Sequence, residues 1–228
     1  MYTLYIANKN YSSWSMRPWV LMSELDIPFE ERLAPFGQGS NWNNFRVFSP
    51  TGKVPCLHDG DTTIWDSLAI AEYLAERHPG VWPADASART WARCAAAEMH
   101  SGFTTLREEA SMNCGVRVRL HHMSKALKVE LARLDELWGD GLKRFGGPFL
   151  AGETFTAVDA FYAPVAFRIQ TYGLPMQPHS AAYAQRLREL PSSRRWYAEA
   201  LRETWRDNAH EDQTHLAGEW LEDLRKSL

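Results

Sequence analysis

The segment Tyr11-Ser12-Ser13-Trp14-Ser15-Met16-Arg17 places three serine hydroxyls, a phenol, an indole and a guanidinium in one short run. A β-prone stretch precedes it and an apolar stretch with helical spacing follows, so it reads as a strand-to-helix turn. The free N–H groups and the dipole of a helix start stabilise an anion held there. A serine hydroxyl in the turn can donate a hydrogen bond to a thiolate and so lower the pKa of the thiol. The turn has no Cys of its own, so such a thiol would arrive with a ligand. The same serines also read as plain capping and turn residues.

Two further groupings carry chemistry. In Lys53-Val54-Pro55 an Xaa-Pro bond stands between a loop and a strand. A cis bond there, the form of about one Xaa-Pro bond in twenty, would leave the Val54 backbone available to an extended ligand. Trp65-Asp66-Ser67 precedes an apolar helical run. An acid and a hydroxyl at a helix start can hold the ammonium and the carboxylate of an amino-acid group, and they also form an ordinary N-cap pair.

Other arrangements fail on geometry. His210 and His215 lie five residues apart. On a helix that spacing turns them about 140° from each other, against about 40° for a metal-binding i, i+4 pair. His121 and His122 are adjacent and face different ways. No phosphate-cradling glycine pattern occurs. Cys56 reads as a small core residue. No metal is expected.

Composition narrows the class. Net charge is -3, from 25 basic and 28 acidic residues, which gives no electrostatic reason to expect nucleic acid or an anionic membrane as partner. The three cysteines form no CxxC, which argues against a disulfide framework and for a reducing compartment. Asn10-Tyr11-Ser12 matches a glycosylation sequon, but that signal requires a secretory route. The N-terminus lacks the pattern of a signal peptide, and no apolar run approaches the roughly 18 residues of a membrane span. The expectation is a soluble, cytoplasmic protein. Ten tryptophans are spread along the 228 residues, enough for a large aromatic core or for a site that takes a flat apolar ligand.

The elements that must position these groups follow from pattern. Thr3–Ala7 predicts a strand. Met16–Leu25 predicts a helix capped by Ser15, with Pro18 in its first turn and Trp19, Val20, Met22 and Leu25 on one side. Phe29–Leu33 predicts a second strand, and a short helix falls within 41–48. Val54–His58 and Thr62–Trp65 form a hairpin around Asp59-Gly60-Asp61. Leu68–Leu74 forms a helix capped by Asp66 or Ser67. The order is βαβ and then ββα. Beyond Asp85 helical periodicity takes over, with helices expected at about 86–112, 119–145, 156–171, 180–190, 192–204 and 212–226. Thr156-Ala157-Val158-Asp159 has the pattern of a capping box, which makes Asp159 structural. Pro79–Asp85 is the expected linker between domains at 1–80 and 86–228.

Together the serine turn after the first strand, the Val-Pro at the third and the acid-Ser pair after the hairpin resemble the cytosolic glutathione transferases. The resemblance covers essentially the whole chain. It implies an α/β thioredoxin-like N-terminal domain and an all-helical C-terminal domain. The Ser-Ser-Trp-Ser-Met-Arg turn is similar to that of serine-type members, including the zeta class with Ser-Ser-Cys-Ser-x-Arg. By that match Ser12 holds the thiolate of glutathione, with Ser13 second. Lys53 and Val54 contact the glycyl and cysteinyl backbone, and Asp66 and Ser67 hold the γ-glutamyl end. The implied chemistry is attack of the thiolate on a hydrophobic electrophile lying against Trp14, His100, Phe103, Thr104 and Arg107. The last four read equally as core or interface residues. Glutathione-dependent isomerisation, dehalogenation or reduction, or a non-catalytic binding module, are alternatives on the same fold. A homodimer and a role in detoxification are also implied. Trp14 is the one tryptophan placed at a ligand, and most of the others are read as architecture.

Overall fold

A computed structural model describes residues 1–37 and 39–225. The alternation at the N-terminus becomes strand β1 (Tyr2–Ile6), with Leu4 and Ile6 turned into the core. It pairs in parallel with β2 (Phe29–Leu33), Leu4 opposite Glu31, and antiparallel with β3 (Cys56–Asp59), Leu4 opposite Leu57. The Asp-Gly turn brings β4 (Thr62–Ile64) antiparallel onto β3, giving a mixed sheet of order β2-β1-β3-β4. Between the strands run α1 (Ser13–Glu24) and the short α2 (Trp42–Arg46), and α3 (Ser67–Ala75) follows the hairpin. Helices α1 and α3 pack against each other, with Met16, Val20, Ile70 and Leu74 fully buried.

Helix α1 begins earlier than its apolar spacing suggests, and Ser12 rather than Ser15 is its N-cap residue. Ser15 is engaged elsewhere: its Oγ accepts from the Ala7 N–H at 3.2 Å and from the Ser12 hydroxyl at 2.7 Å. Pro18 therefore lies beyond the first turn, where its missing N–H leaves out one bond of the helix ladder.

The chain then becomes mainly helical: α4 (Ala86–Ser101), α5 (Thr104–Glu109), α6 (Lys125–Phe145), α7 (Ala157–Tyr172), α8 (Pro178–Glu189), α9 (Pro191–Ala200) and α10 (Asn208–Ala217). The helix expected over 86–112 is broken because Phe103 takes a left-handed backbone conformation, φ 53°. The start of the 119–145 segment is a strand, β5 (Val116–Leu120). Its residues alternate, with Val116 and Val118 buried and Arg119 exposed, the period of a strand. β5 pairs with β6 (Gly218–Asp223), which replaces the second half of the expected tail helix. Residue 226 of that expectation lies outside the described residues. The helical domain thus carries a two-stranded ribbon in addition to its helices.

At the centre stands α7, which is buried on nearly every side and packs on α1, α4 and α8. The capping box at its start is present. Asp159 accepts from the Thr156 N–H at 3.0 Å, the Leu150 N–H at 3.1 Å and the Tyr183 hydroxyl at 2.7 Å. Burial nevertheless pushes the Asp159 carboxyl up to about 6, against those hydrogen bonds. The linker is fastened to this helix, since Val81 C=O accepts from the Ala157 N–H at 2.8 Å.

Candidate active-site cleft

The serine turn is built by both halves of the chain. Residues 8–11, leaving β1, are gripped by α9 and the turn after it. Glu203 accepts from the backbone N–H of Lys9 at 2.6 Å and of Asn10 at 3.2 Å, and Trp196 donates to the Lys9 carbonyl at 2.9 Å. The buried Lys9 ammonium pairs with Glu31 at 2.8 Å and with Glu199, and lies over the rings of Trp19 and Trp196. From the other side Asn10 C=O accepts from the Cys114 N–H at 3.1 Å. The segment holding Cys114 is itself held to α7 by Thr171 and Tyr172, which donate to the carbonyls of Asn113 and Ser111.

Ser12 and Ser13 line a cleft of about 410 Å³ together with Trp14, Lys53 and Val54 from the N-terminal half and Arg107 and Arg168 from the helical half. A second lobe of about 460 Å³ meets it at Trp14, Lys53 and Val54, and continues to Trp65 and Asp66. The two lobes form one trough from the serine turn to the start of α3.

Both serines are buried, but their hydroxyls face different partners. Ser12 donates to Ser15, as above. Ser13 Oγ accepts from Arg168 Nη2 at 3.2 Å. Val54-Pro55 is a cis peptide. Pairing of β3 with β1 starts at Cys56, so the Val54 backbone lies outside the sheet ladder. Lys53 is exposed at the rim. Just before it Gly52 has φ 59°, and a Cβ there would come within 2.6 Å of the Trp42 ring. Trp42 thus acts as the cover of this loop, and glycine is required beneath it.

Asp66 caps α3, its Oδ1 accepting from the Leu68 N–H at 3.0 Å, while its Oδ2 faces His100 Nε2 at 3.1 Å. Ser67 is buried and accepts from Arg17 Nη1 at 3.4 Å. The Arg17 guanidinium is sandwiched between Trp14, 4.0 Å from the ring centre, and Phe161, 4.9 Å away. Burial, reinforced by Arg107 and Arg168, lowers Arg17 to about 9, and burial with Arg107 lowers Arg168 to about 10. Burial also lowers His100, more than Asp66 raises it.

Of the side chains expected to face an electrophile, Trp14 and Arg107 come together, the guanidinium 5.4 Å from the ring centre. His100 meets the Trp14 ring edge-on at 5.2 Å but is directed to Asp66. Phe103 is buried at the head of α5 and Thr104 is exposed; neither lines the two lobes. Residues not foreseen complete the wall: Phe36, Ser111, Met112, Arg168 and, from α10, His210 and Gln213. The His210 ring stacks between Tyr11 and Phe36, at 5.1 and 5.2 Å. Arg168 sits nine residues after Asp159 on a helix whose burial was legible, and a buried arginine there was the available signal. Among the described residues no group of three or more His, Cys, Asp or Glu is placed to hold a metal, and no helix is long and apolar enough to cross a membrane.

A mixed four-stranded α/β domain joined to a helical domain, with a trough along their junction, is the fold of the glutathione transferases. A probable glutathione S-transferase of Oryza sativa, DHAR1, is 30% identical over 158 residues, covering 69% of this chain and 66% of the relative. Dichloromethane dehalogenase of Methylorubrum extorquens is 43% identical, but over 61 residues that span only 21% of it. GstA of Escherichia coli O157:H7 is 30% identical over 165 residues, 66% of this chain and 75% of that protein. Residues 11–77 match the glutathione S-transferase N-terminal domain and residues 116–199 the C-terminal domain. The chain belongs to the glutathione S-transferase family. A glutathione transferase homolog from Burkholderia, solved with bound glutathione, superposes with a TM-score of 0.65 at 25% identity, covering 87% of this chain and 97% of that one. A theta-class enzyme from Xanthomonas axonopodis pv. citri shares the fold, with a TM-score of 0.64 at 23% identity over 86% of this chain and 96% of its own.

Proposed function

We propose that this chain is a glutathione transferase that binds reduced glutathione along the trough and presents it as thiolate to an electrophile. The observation that carries the reading is the alignment in one trough of the serine turn, the unpaired Val54 backbone and Asp66, with Ser67 buried directly behind Asp66. The peptide lies extended against Val54, with its γ-glutamyl ammonium toward Asp66 and its carboxylate toward Ser67. Lys53 faces the glycyl carboxylate. The sulfur then falls at Ser12 and Ser13, at the start of α1. The domain at 1–80 supplies the peptide site and shares the electrophile wall with the domain at 86–228, Trp14 meeting Arg107.

A free thiol has a pKa of about 8.5, and lowering it by two units requires about 2.7 kcal/mol of preferential stabilisation of the anion. One charge-assisted hydrogen bond and a helix start are of that order. The thiol proton leaves to solvent. The thiolate forms a carbon–sulfur bond, and the leaving group departs with its bonding pair, as halide for an aryl chloride. Trp14 and Arg107 offer a face for the acceptor. A cytoplasmic homodimer acting in detoxification, of the serine type, is the setting this reading implies.

Retention on immobilised reduced glutathione, followed by conjugation of an aromatic chloronitro compound, tests it. Retention with turnover is expected. No retention would sink the binding claim. Retention without turnover on this or on haloalkane and disulfide acceptors would make the chain a binding module.

A further inference from the structure

We propose that Arg168 is the positioning residue that makes Ser13 the hydroxyl holding the glutathione thiolate. The inference rests on the glutathione reading above and assigns the thiolate-binding role within it.

Arg168 projects from the buried helix α7, with 4% of the residue exposed. Its Nη1 donates to the Ala110 carbonyl and its Nη2 to Ser13 Oγ. The charged and titratable groups that act on it most are Tyr172, Arg107 and Cys114, and among the described residues no carboxylate is paired with it. A buried cation in this state is costly unless an anion completes it. The guanidinium lines the same cleft wall as Ser13, and that is where an incoming sulfur would lie.

The hydrogen-bond directions decide between the two serines. A guanidinium has donors and no acceptor. Ser13 Oγ therefore spends a lone pair on Arg168 and keeps its own proton for another group. Ser13 lines the cleft, so that proton is available to a ligand there. Ser12 has the opposite arrangement. Its proton is given to Ser15 Oγ, which also receives the Ala7 N–H. The Ser12–Ser15 bond thus locks the turn onto the end of β1, while Ser13 is the hydroxyl supported by a cation. A donor whose oxygen accepts a charged hydrogen bond is a stronger donor in turn.

Other titratable groups face this region: Arg17 from α1, Tyr11 from the turn, Lys53 from the loop before β3, Arg107 from α5 and His210 from α10. A double-mutant cycle cancels what they contribute equally to all variants. The readout is the ultraviolet absorbance of the bound thiolate, followed against pH in the full chain saturated with reduced glutathione. Ser13→Ala, Arg168→Met and the double variant are compared with the native protein. S-methylglutathione, which cannot ionise at sulfur, measures binding of the peptide frame independently.

Ser13→Ala and Arg168→Met should each raise the pKa of the bound thiol by about one unit, a loss of thiolate approaching tenfold on the acid side. The double variant should add little to either, because Arg168 acts through Ser13. Arg168→Lys, which keeps the charge, should recover part of the shift. S-methylglutathione should bind all of them within a few-fold of the native protein. Two additive shifts, or a shift caused by Ser12→Ala while Ser13→Ala leaves the pH profile in place, would overturn the assignment. If Arg168→Met does not fold, Ser13→Ala and Arg168→Lys decide the matter by the same profile. Failure of the native protein to bind S-methylglutathione would instead remove the glutathione reading, and the assignment with it.

Discussion

Replacing Arg225 by Met should release α10 from the cleft without unfolding the protein. Arg225 follows β6, and its side chain is almost wholly buried. Its guanidinium forms a fork on Glu211, at 2.6 and 2.9 Å, reaches Asp223 at 2.7 and 2.8 Å, and donates to the Tyr11 hydroxyl at 3.2 Å. Glu211 also accepts from Tyr11 at 2.7 Å and from Asn113 at 3.1 Å. The network therefore ties the serine turn, the 113 segment, α10 and the end of the chain to one point. Otherwise α10 buries only Thr214 and is held by the His210 ring stack, a Gln213 bond to the Glu108 carbonyl at 3.2 Å, a His121 N–H bond to the Ala217 carbonyl at 3.1 Å and the stack of His215 on Trp220, contacts that are mostly at the surface. Removing one partner of a buried ion pair costs about 3–5 kcal/mol. If most of that falls on α10, its opening equilibrium rises by roughly 100-fold or more. Hydrogen exchange in the native state, read separately over residues 208–217 and 157–172, is the assay. Protection should collapse in α10 and persist in α7. Equal loss in both helices, or none in α10, would refute the reasoning. Because His210 and Gln213 line the cleft, the KM of the acceptor should rise more than kcat falls. Burial pushes the Glu211 carboxyl up, but the Arg225 and Tyr11 hydrogen bonds win and hold it below its ordinary 4.5. Its stabilising contribution is present above that value and is lost as pH falls below it, so acid should loosen α10 in the native chain more than in Arg225→Met.

Gly115→Ala should give a milder version of the same phenotype, since its Cβ would lie 2.2 Å from Arg225 Cγ and displace that side chain; unchanged α10 exchange would contradict this. Asp159→Ala strands the Leu150 and Thr156 N–H groups and the Tyr183 hydroxyl, and should cost about 3–5 kcal/mol in urea unfolding. A carboxyl that ionises near 6 when folded and 3.8 when unfolded binds more protons in the native state between those values. The stability difference between the native chain and Asp159→Asn should therefore fall as pH rises from about 4 to about 6, and a difference that rises instead would show that hydrogen bonding outweighs burial. His100, lowered by burial, should titrate below its ordinary 6.5 by NMR. Its contribution to stability is present above 6.5 and lost as pH falls, and a ring that titrates above 6.5 would contradict this.

Local grammar was enough to find the parts of the trough near the sheet. The Asp-Gly hairpin, the Asp66 cap, the Val54-Pro55 bond and the Thr156–Asp159 box are each set by residues adjacent in sequence. The ribbon was legible too, in the Val116–Leu120 alternation, but the surrounding helical periodicity hid it. Contacts distant in sequence were not legible. Glu203 and Trp196 grip the backbone before the serine turn from 194 and 187 residues away, and Arg168 reaches Ser13 across the domain junction. Nothing in the order of residues distinguishes the Ser12 hydroxyl from that of Ser13; only the partners brought by folding do so. Phe103 and Thr104 show the converse, because helical spacing aimed them at a ligand and the break at Phe103 turned them away.

The position of bound glutathione is the most direct test. A crystal structure of the complex with reduced glutathione should place the sulfur within about 3.5 Å of Ser13 Oγ. It should also place the cysteinyl backbone on Val54 and the γ-glutamyl group at Asp66 and Ser67. A peptide bound in the reverse direction, or a sulfur nearer to another group than to the serine turn, would contradict it.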